Sequence, residues 1–153
     1  MQQRVESRSG AGYVTVERRI ELLKSTASFH KLFADVQELT AVTYSYSPEF
    51  VTDIMRDEDL ALERLTLIVG DSTADDWRER LSGNRRLAEE IHELLATGQV
   101  AIHMTRPPNV IHVKAYIGER ADGRRVLVHG SPNLSQTAWK GQQKNQAGIF
   151  ETD

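Results

Sequence analysis

Ile111-His112-Val113-Lys114-Ala115-Tyr116-Ile117 is the stretch that decides the fold, because β-branched and aromatic residues dominate it. It stands between Pro107-Pro108 and Gly118, so the pattern predicts a strand over residues 111–117. Side chains alternate between the two faces of a strand, so His112 and Lys114 are expected to share one face. The segment therefore predicts an imidazole and an ammonium group side by side on a sheet.

A second polar segment, Gly130-Ser131-Pro132-Asn133, follows a predicted turn at residues 121–123 and a short predicted strand at residues 125–128. A hairpin returns this bend to the side of His112. The imidazole can attack phosphorus or donate a proton, while the lysine, serine and asparagine side chains offset charge on the non-bridging oxygens. The pattern therefore predicts a phosphodiester site with the catalytic residues His112, Lys114, Ser131 and Asn133.

These residues resemble the HKD motif of the phospholipase D superfamily, which reads His-x-Lys, four residues, Asp, then Gly-Ser-x-Asn or a close variant. Here Glu119 stands at the aspartate position. Ala147 stands where family members commonly carry a glutamate that helps to orient the histidine. The resemblance implies supporting roles for Glu119 and Gly130, and position alone adds His129, which directly precedes the bend.

The resemblance implies a metal-independent phosphodiesterase, an endonuclease that cuts DNA or RNA through a phosphohistidine intermediate and uses no cofactor. The family's chemistry uses two histidines, and the chain has one motif, so a homodimer with one shared active site is expected. Single-motif members are similar to bacterial restriction or defence nucleases and to N-terminal domains of helicase-linked proteins. A longer parent protein with a helicase or ATPase domain is therefore also expected.

Two alternatives stay open at this point. Ala147 in place of the glutamate is compatible with a non-catalytic nucleic-acid-binding module that keeps the phosphate pocket. The superfamily also contains phospholipases, so a lipid phosphodiesterase is the second alternative. Lipid-cleaving members generally carry two motifs in a longer chain, which makes DNA the preferred substrate.

Composition predicts a single globular domain over residues 1–153, with residues 1–12 as a flexible N-terminal segment. The chain is 39% hydrophobic and 27% charged, which is ordinary for a soluble protein. It has no cysteine, which excludes a disulfide framework and fits a reducing compartment. Neither a signal-peptide core nor a membrane-length apolar run is present, so a cytoplasmic protein without a membrane partner is expected.

Charge is distributed unevenly along the chain. The net charge is −3, yet residues 106–144 carry seven basic and two acidic side chains. A local positive field around the motif would attract a polyanion. The predicted nucleic-acid-binding residues are Arg106, Arg120, Arg124, Arg125, Lys140 and Lys144.

The order of the elements predicts an α/β fold: a mixed β-sheet flanked by helices on both faces, phospholipase D-like. Predicted helices cover residues 18–36, with a break at 24–28, and residues 134–139. A further helix begins after Ser47 with Pro48 at its first position, and another covers residues 87–95 and ends at Gly98. The remaining predicted strands cover residues 39–46, 65–69, 100–104 and 147–151.

Overall fold

The computed structural model describes residues 2–9, 12–23, 26–73, 77–139 and 145–152. Its strands are β1 Gln2–Ser9, β2 Gly12–Leu23, β3 Val36–Thr43, β4 Arg64–Val69, β5 Val100–Met104, β6 Ala115–Arg120, β7 Arg125–Gly130 and β8 Asn145–Thr152. Its helices are α1 Thr26–Phe33, α2 Pro48–Met55, α3 Trp77–Gly83, α4 Arg85–Ala96 and α5 Gln136–Trp139. The strands form one eight-stranded sheet in the order β1-β2-β8-β7-β6-β3-β4-β5.

The sheet is mixed: β3, β4 and β5 are parallel neighbours, and the other pairings are antiparallel. The predicted α/β class with a mixed sheet is confirmed. The sequence predicted helices on both faces of the sheet. In the described part of the chain, helices cover one face only. Both parallel crossovers step in the same direction along the sheet, and right-handed crossovers then place their helices on the same side. On the other side, Ile117 and Leu127 are exposed.

Aromatic packing holds the helical layer on the sheet. Trp139 of α5 contacts Phe29 of α1 at 5.0 Å and Tyr116 of β6 at 5.4 Å between ring centroids, both edge-on. Phe29 also meets Phe50 of α2 at 5.5 Å. Such pairs contribute about 0.5–1.5 kcal/mol each beyond the burial of their area. The buried Tyr116 hydroxyl donates to the carbonyl of Pro132 at 2.7 Å, so the same cluster fixes the polar bend.

Several local predictions are confirmed. Ser47 accepts a hydrogen bond from the amide of Phe50 and caps α2, with Pro48 at its first position. Gly98 has a φ of 73° just after the end of α4, as expected of a glycine in that place. The predicted strands at 65–69, 100–104 and 147–151 correspond to β4, β5 and β8. None of the described helices is long and apolar enough to cross a membrane.

The flexibility expected of residues 1–12 stays a prediction, while the helix predicted over residues 18–23 is wrong. Instead β2 runs from Gly12 to Leu23 and pairs with β1 on one side and β8 on the other. Pairing with a strand far away in the sequence overrides the local helical pattern here.

The predicted strand at residues 111–117 is half right, because β6 begins only at Ala115. Residues 109–114 have no regular structure. The amide of Ile111 donates to the carbonyl of Gly70 at 2.9 Å, so this segment crosses the end of β4 before it enters the sheet. His112 and Lys114 therefore meet through direct contact and not through strand alternation.

Candidate active site

The predicted site lies at one edge of the sheet, which we name the carboxyl edge because β3, β4 and β5 all end there. Because β6 is antiparallel to β3, His112 and Lys114 lie at the same edge, just before β6 begins. The end of β7 and the start of β8 also reach it. Ligand sites of open α/β sheets commonly lie beyond the carboxyl ends of parallel strands.

His112 and Lys114 contact each other directly. The Lys114 Nζ atom lies 3.0 Å from Nδ1 of the His112 ring. An ammonium group can only donate, so the ring nitrogen that accepts from Lys114 carries no proton; Nζ also lies 3.4 Å from Nε2 of the same ring. The arrangement leaves an unprotonated ring nitrogen beside an ammonium group, and the His112 side chain is exposed to solvent.

The two halves of the motif are joined through the backbone. The amide of Gly130 donates to the carbonyl of Lys114 at 3.2 Å. A Cβ atom on Gly130 would lie 2.3 Å from the carbonyl oxygen of Gln146, so this position tolerates only glycine without a backbone shift. The close approach brings the bend against β8 and beside His112.

The hydroxyl of Ser131 is engaged with β8. It donates to Oδ1 of Asn145 at 3.0 Å and accepts from the amide of Gln146 at 3.3 Å. Asn145, which is buried, donates in turn to the carbonyl of Ala138 at 2.8 Å. Ser131 therefore fastens the bend to β8 and α5, and its charge-offsetting role stays a prediction.

The carboxamide oxygen of Asn133 lies beside the hydroxyl of Thr43. The buried Thr43 hydroxyl donates to the carbonyl of Ser45 at 2.5 Å and accepts from the amide of Leu134 at 3.0 Å. Its oxygen lies 3.4 Å from Asn133 Oδ1. Among the described residues, the amide nitrogen of the Asn133 side chain makes no hydrogen bond. It is available to donate to an oxygen of a bound phosphate.

The sequence did not single out Tyr44 and Asp71, which connect to the motif in the structure. The Tyr44 ring lies 4.5 Å from the His112 ring between centroids, and 5.6 Å from Nζ of Lys114. Its hydroxyl donates to Oδ2 of Asp71 at 3.0 Å. Tyr44 is the first residue after β3 and Asp71 the second after β4, and the carboxyl-edge rule is the signal that would have found them.

No family model matches the sequence, and no curated protein sequence matches it. Solved structures do resemble it. The yeast tyrosyl-DNA phosphodiesterase matches with a TM-score of 0.56 at 14% identity over 87% of this chain and 31% of that one. NucT from Helicobacter pylori matches with a TM-score of 0.52 at 13% identity over 90% of this chain and 86% of that one. The chain has a phospholipase D-like fold. It spans about a third of the length of the tyrosyl-DNA phosphodiesterase structures.

Within this phospholipase D-like fold, Ala147 offers no chemistry to the histidine. It lies on β8 opposite Gly130 and is 1% exposed, with its methyl group in the core. Asp71 is linked to the histidine by way of Tyr44, whose hydroxyl it accepts and whose ring lies against the His112 ring.

The predicted basic surface is divided between the two ends of the phospholipase D-like sheet. Arg120, Arg124 and Arg125 lie at the β6–β7 turn, and a six-residue strand separates them from His112 by about 20 Å. Arg120 pairs with Asp35 and Glu151, Arg124 with Asp122, and Arg125 with Glu119. The hairpin therefore carries these three arginines away from His112, and their role in nucleic-acid binding stays a prediction.

The other predicted residues divide in the same way. Arg106 is exposed in the loop after β5 and lies at the carboxyl edge. Glu119 lies at the far end of β6, so any support it gives is to the hairpin and not to the imidazole. His129 pairs with Ala115 and faces the side of the sheet opposite the core. Lys140 and Lys144 lie outside the described residues.

A group of ligand-type side chains also lies away from the motif, at the end of α2. His30, Asp57 and Asp59 have ligand atoms within 4.8 Å of one another. Nε2 of His30 lies 2.7 Å from Oδ2 of Asp57, and the amide of Asp59 donates to Asp57. These hydrogen bonds within a turn explain why the three side chains lie close together.

Proposed function

We propose that the chain is a metal-independent phosphodiesterase that cuts DNA through a phosphohistidine at His112, with the active site shared across a homodimer. The contact between Lys114 and His112, joined to the Gly130–Ser131 bend at the carboxyl edge, carries this proposal. A solved structure with this fold supports the proposed class of reaction, since it is named a tyrosyl-DNA phosphodiesterase.

The proposed reaction has two steps. A bare nitrogen of one His112 attacks phosphorus, an N–P bond forms and the P–O bond to the leaving strand breaks. The leaving oxygen takes the proton of His112 of the partner subunit. Water then attacks phosphorus, gives its proton to the now neutral partner histidine, and releases the first His112 as the N–P bond breaks.

The contact geometry fits this division of roles. A ring nitrogen that accepts from Lys114 carries no proton, so this contact suits the neutral His112 that acts as the nucleophile, while the acid is the doubly protonated ring of His112 of the partner subunit. When Lys114 turns to a phosphate oxygen instead, the ring is released for attack, and the ammonium charge offsets the charge of the pentacoordinate phosphorus. The Asn133 amide donates to the same group of oxygens.

Apolar exposure around the motif favours a second copy as the partner. Val110, Ile111 and Val113 flank His112 and are 55%, 38% and 45% exposed. Burial of these apolar side chains in a two-fold interface would remove the unfavourable free energy of their exposure to water. The same interface would bring both copies of His112 to one phosphate.

A binding-only module is the second candidate function, and Ala147 favours it. Both functions predict DNA binding, so chemistry must separate them. Wild type should cleave single- or double-stranded DNA in excess chelator, and His112→Ala should not. His92→Ala, on the exposed face of α4, is the matched control and should cleave like wild type.

Three results would contradict the enzyme proposal: cleavage only after Mg²⁺ is added, equal cleavage by His112→Ala, or hydrolysis of phosphatidylcholine vesicles with no action on DNA. DNA binding without any cleavage would favour the binding-only module.

A further inference from the structure

His112 needs a positioning device, because its backbone is irregular and its side chain is exposed. An exposed imidazole samples several rotamers, and a ring that is displaced by about 1 Å from its productive position costs roughly a hundredfold in rate. In the resembling family a glutamate helps to orient the histidine, and here that position is the buried Ala147.

The aromatic ring of Tyr44 is the surface against which His112 lies. The two rings are 4.5 Å apart between centroids and inclined by 50°. Lys114 also lies over the Tyr44 ring, with Nζ 5.6 Å from its centroid. Tyr44 thus contacts both members of the His112–Lys114 pair.

Asp71 in turn holds Tyr44. It accepts the Tyr44 hydroxyl at 3.0 Å on Oδ2, while Oδ1 accepts from the amide and the hydroxyl of Thr73 at 2.8 and 2.7 Å. The amide of Asp71 also donates to the carbonyl of Tyr44 at 3.1 Å. Both oxygens of the carboxylate are therefore used to fix the Tyr44 ring to the loop after β4.

We infer that Tyr44 and Asp71 are positioning residues for the His112 imidazole, and that ring packing performs here the orienting task of the absent carboxylate. The inference rests on the proposed function for its catalytic meaning. It differs from that function in that it assigns roles to two residues outside the motif.

Tyr44→Phe and Asp71→Ala each remove the same hydrogen bond, so the two substitutions form a double-mutant cycle. Each should lower kcat for metal-free DNA cleavage roughly tenfold, with KM within about twofold of wild type. The double variant should be no slower than Asp71→Ala alone, which already removes the shared hydrogen bond together with the two that Asp71 accepts from Thr73. Asp59→Ala, an exposed aspartate in the turn after α2, is the control and should match wild type.

A second measurement does not depend on activity. The Cε1–H signal of His112, assigned by its loss in His112→Ala, should move in both variants, because the Tyr44 ring no longer holds its place above it. The chain has five histidines, so the signals can be resolved.

The outcomes separate this inference from the proposed function. The proposed function stands if wild type cleaves DNA and His112→Ala does not. In that case the inference fails if Tyr44→Phe or Asp71→Ala keeps both the wild-type kcat and the wild-type His112 signal. A raised KM with unchanged kcat would make Tyr44 a DNA contact and overturn it. A lowered kcat with an unmoved signal also overturns it. If wild type cleaves nothing, the proposed function fails, and the signal alone decides the positioning roles.

Discussion

Gly70 passes so close to Ile111 that a Cβ atom at residue 70 would lie 1.8 Å from the carbonyl oxygen of Ile111. The same pair shares a hydrogen bond from the Ile111 amide to the Gly70 carbonyl. The end of β4 therefore sets the path of the segment that carries His112.

Gly70→Ala should displace that segment. The added methyl group meets backbone, which cannot rotate away, so we expect a loss of about 2 kcal/mol or more in the free energy of unfolding together with loss of DNA cleavage. Chemical denaturation and a cleavage assay measure the two effects. Gly83→Ala is the control, since a Cβ there meets nothing within 4 Å. Equal stability and activity of the two variants would contradict the close approach.

Val113→Glu should prevent dimer formation and abolish cleavage while the monomer stays folded. Val113 flanks His112, and a charge there would have to be buried unpaired in the proposed interface. Ile117→Glu is a matched control, because Ile117 is equally exposed at 45% but lies on the open sheet face. Light scattering over a range of concentrations gives the oligomeric state. A monomeric wild type, or a dimeric and active Val113→Glu, would argue against the shared site.

Arg106→Gln should weaken DNA binding, because Arg106 is the predicted arginine that lies at the carboxyl edge. Loss of one phosphate contact lowers the slope of log affinity against log salt concentration by about 1. Arg124→Gln serves as the comparison, since Arg124 pairs with Asp122 at the opposite end of the sheet. If Arg124→Gln weakens binding as much as Arg106→Gln does, the placement of the DNA surface is wrong.

An ion-pair network at the opposite edge predicts a pH effect on stability. Partial burial would raise the pKa of Glu151, but hydrogen bonds and charge from Arg19 and Arg120 outweigh it and hold the pKa below its ordinary value of 4.5. A lowered folded-state pKa contributes stability that is fully present above pH 4.5 and lost as the pH falls through the folded-state value.

Glu151→Gln mimics the protonated group, so its stability deficit relative to wild type should be largest at neutral pH and shrink below pH 4.5. Urea unfolding at several pH values measures the deficit. A deficit that stays constant or grows in acid would contradict the network.

Local signals predicted much of the fold. The Ser47–Pro48 start of α2 and the glycine after α4 require only a few neighbouring residues, and both are confirmed. The N-terminal strands could not be predicted this way, because β2 depends on pairing with β8 at the other end of the chain.

The residues of the site also differ in whether the sequence could predict them. The motif itself could be recognised because its residues are close in sequence. The distance of the basic residues from His112 could not be predicted, because a charge count along the chain does not show that a hairpin carries its turn to the opposite end of the sheet. Tyr44 and Asp71 were missed because each lies far in sequence from His112 and reaches it only through the parallel strands.

Trapping of the covalent intermediate tests the central claim most directly. Wild type is mixed with end-labelled DNA in excess chelator, quenched rapidly in alkali and digested, and the labelled peptide is mapped. The account predicts an acid-labile phosphorus–nitrogen adduct on His112 that is absent from His112→Ala. Cleavage without any adduct, or an adduct on another residue, would contradict it.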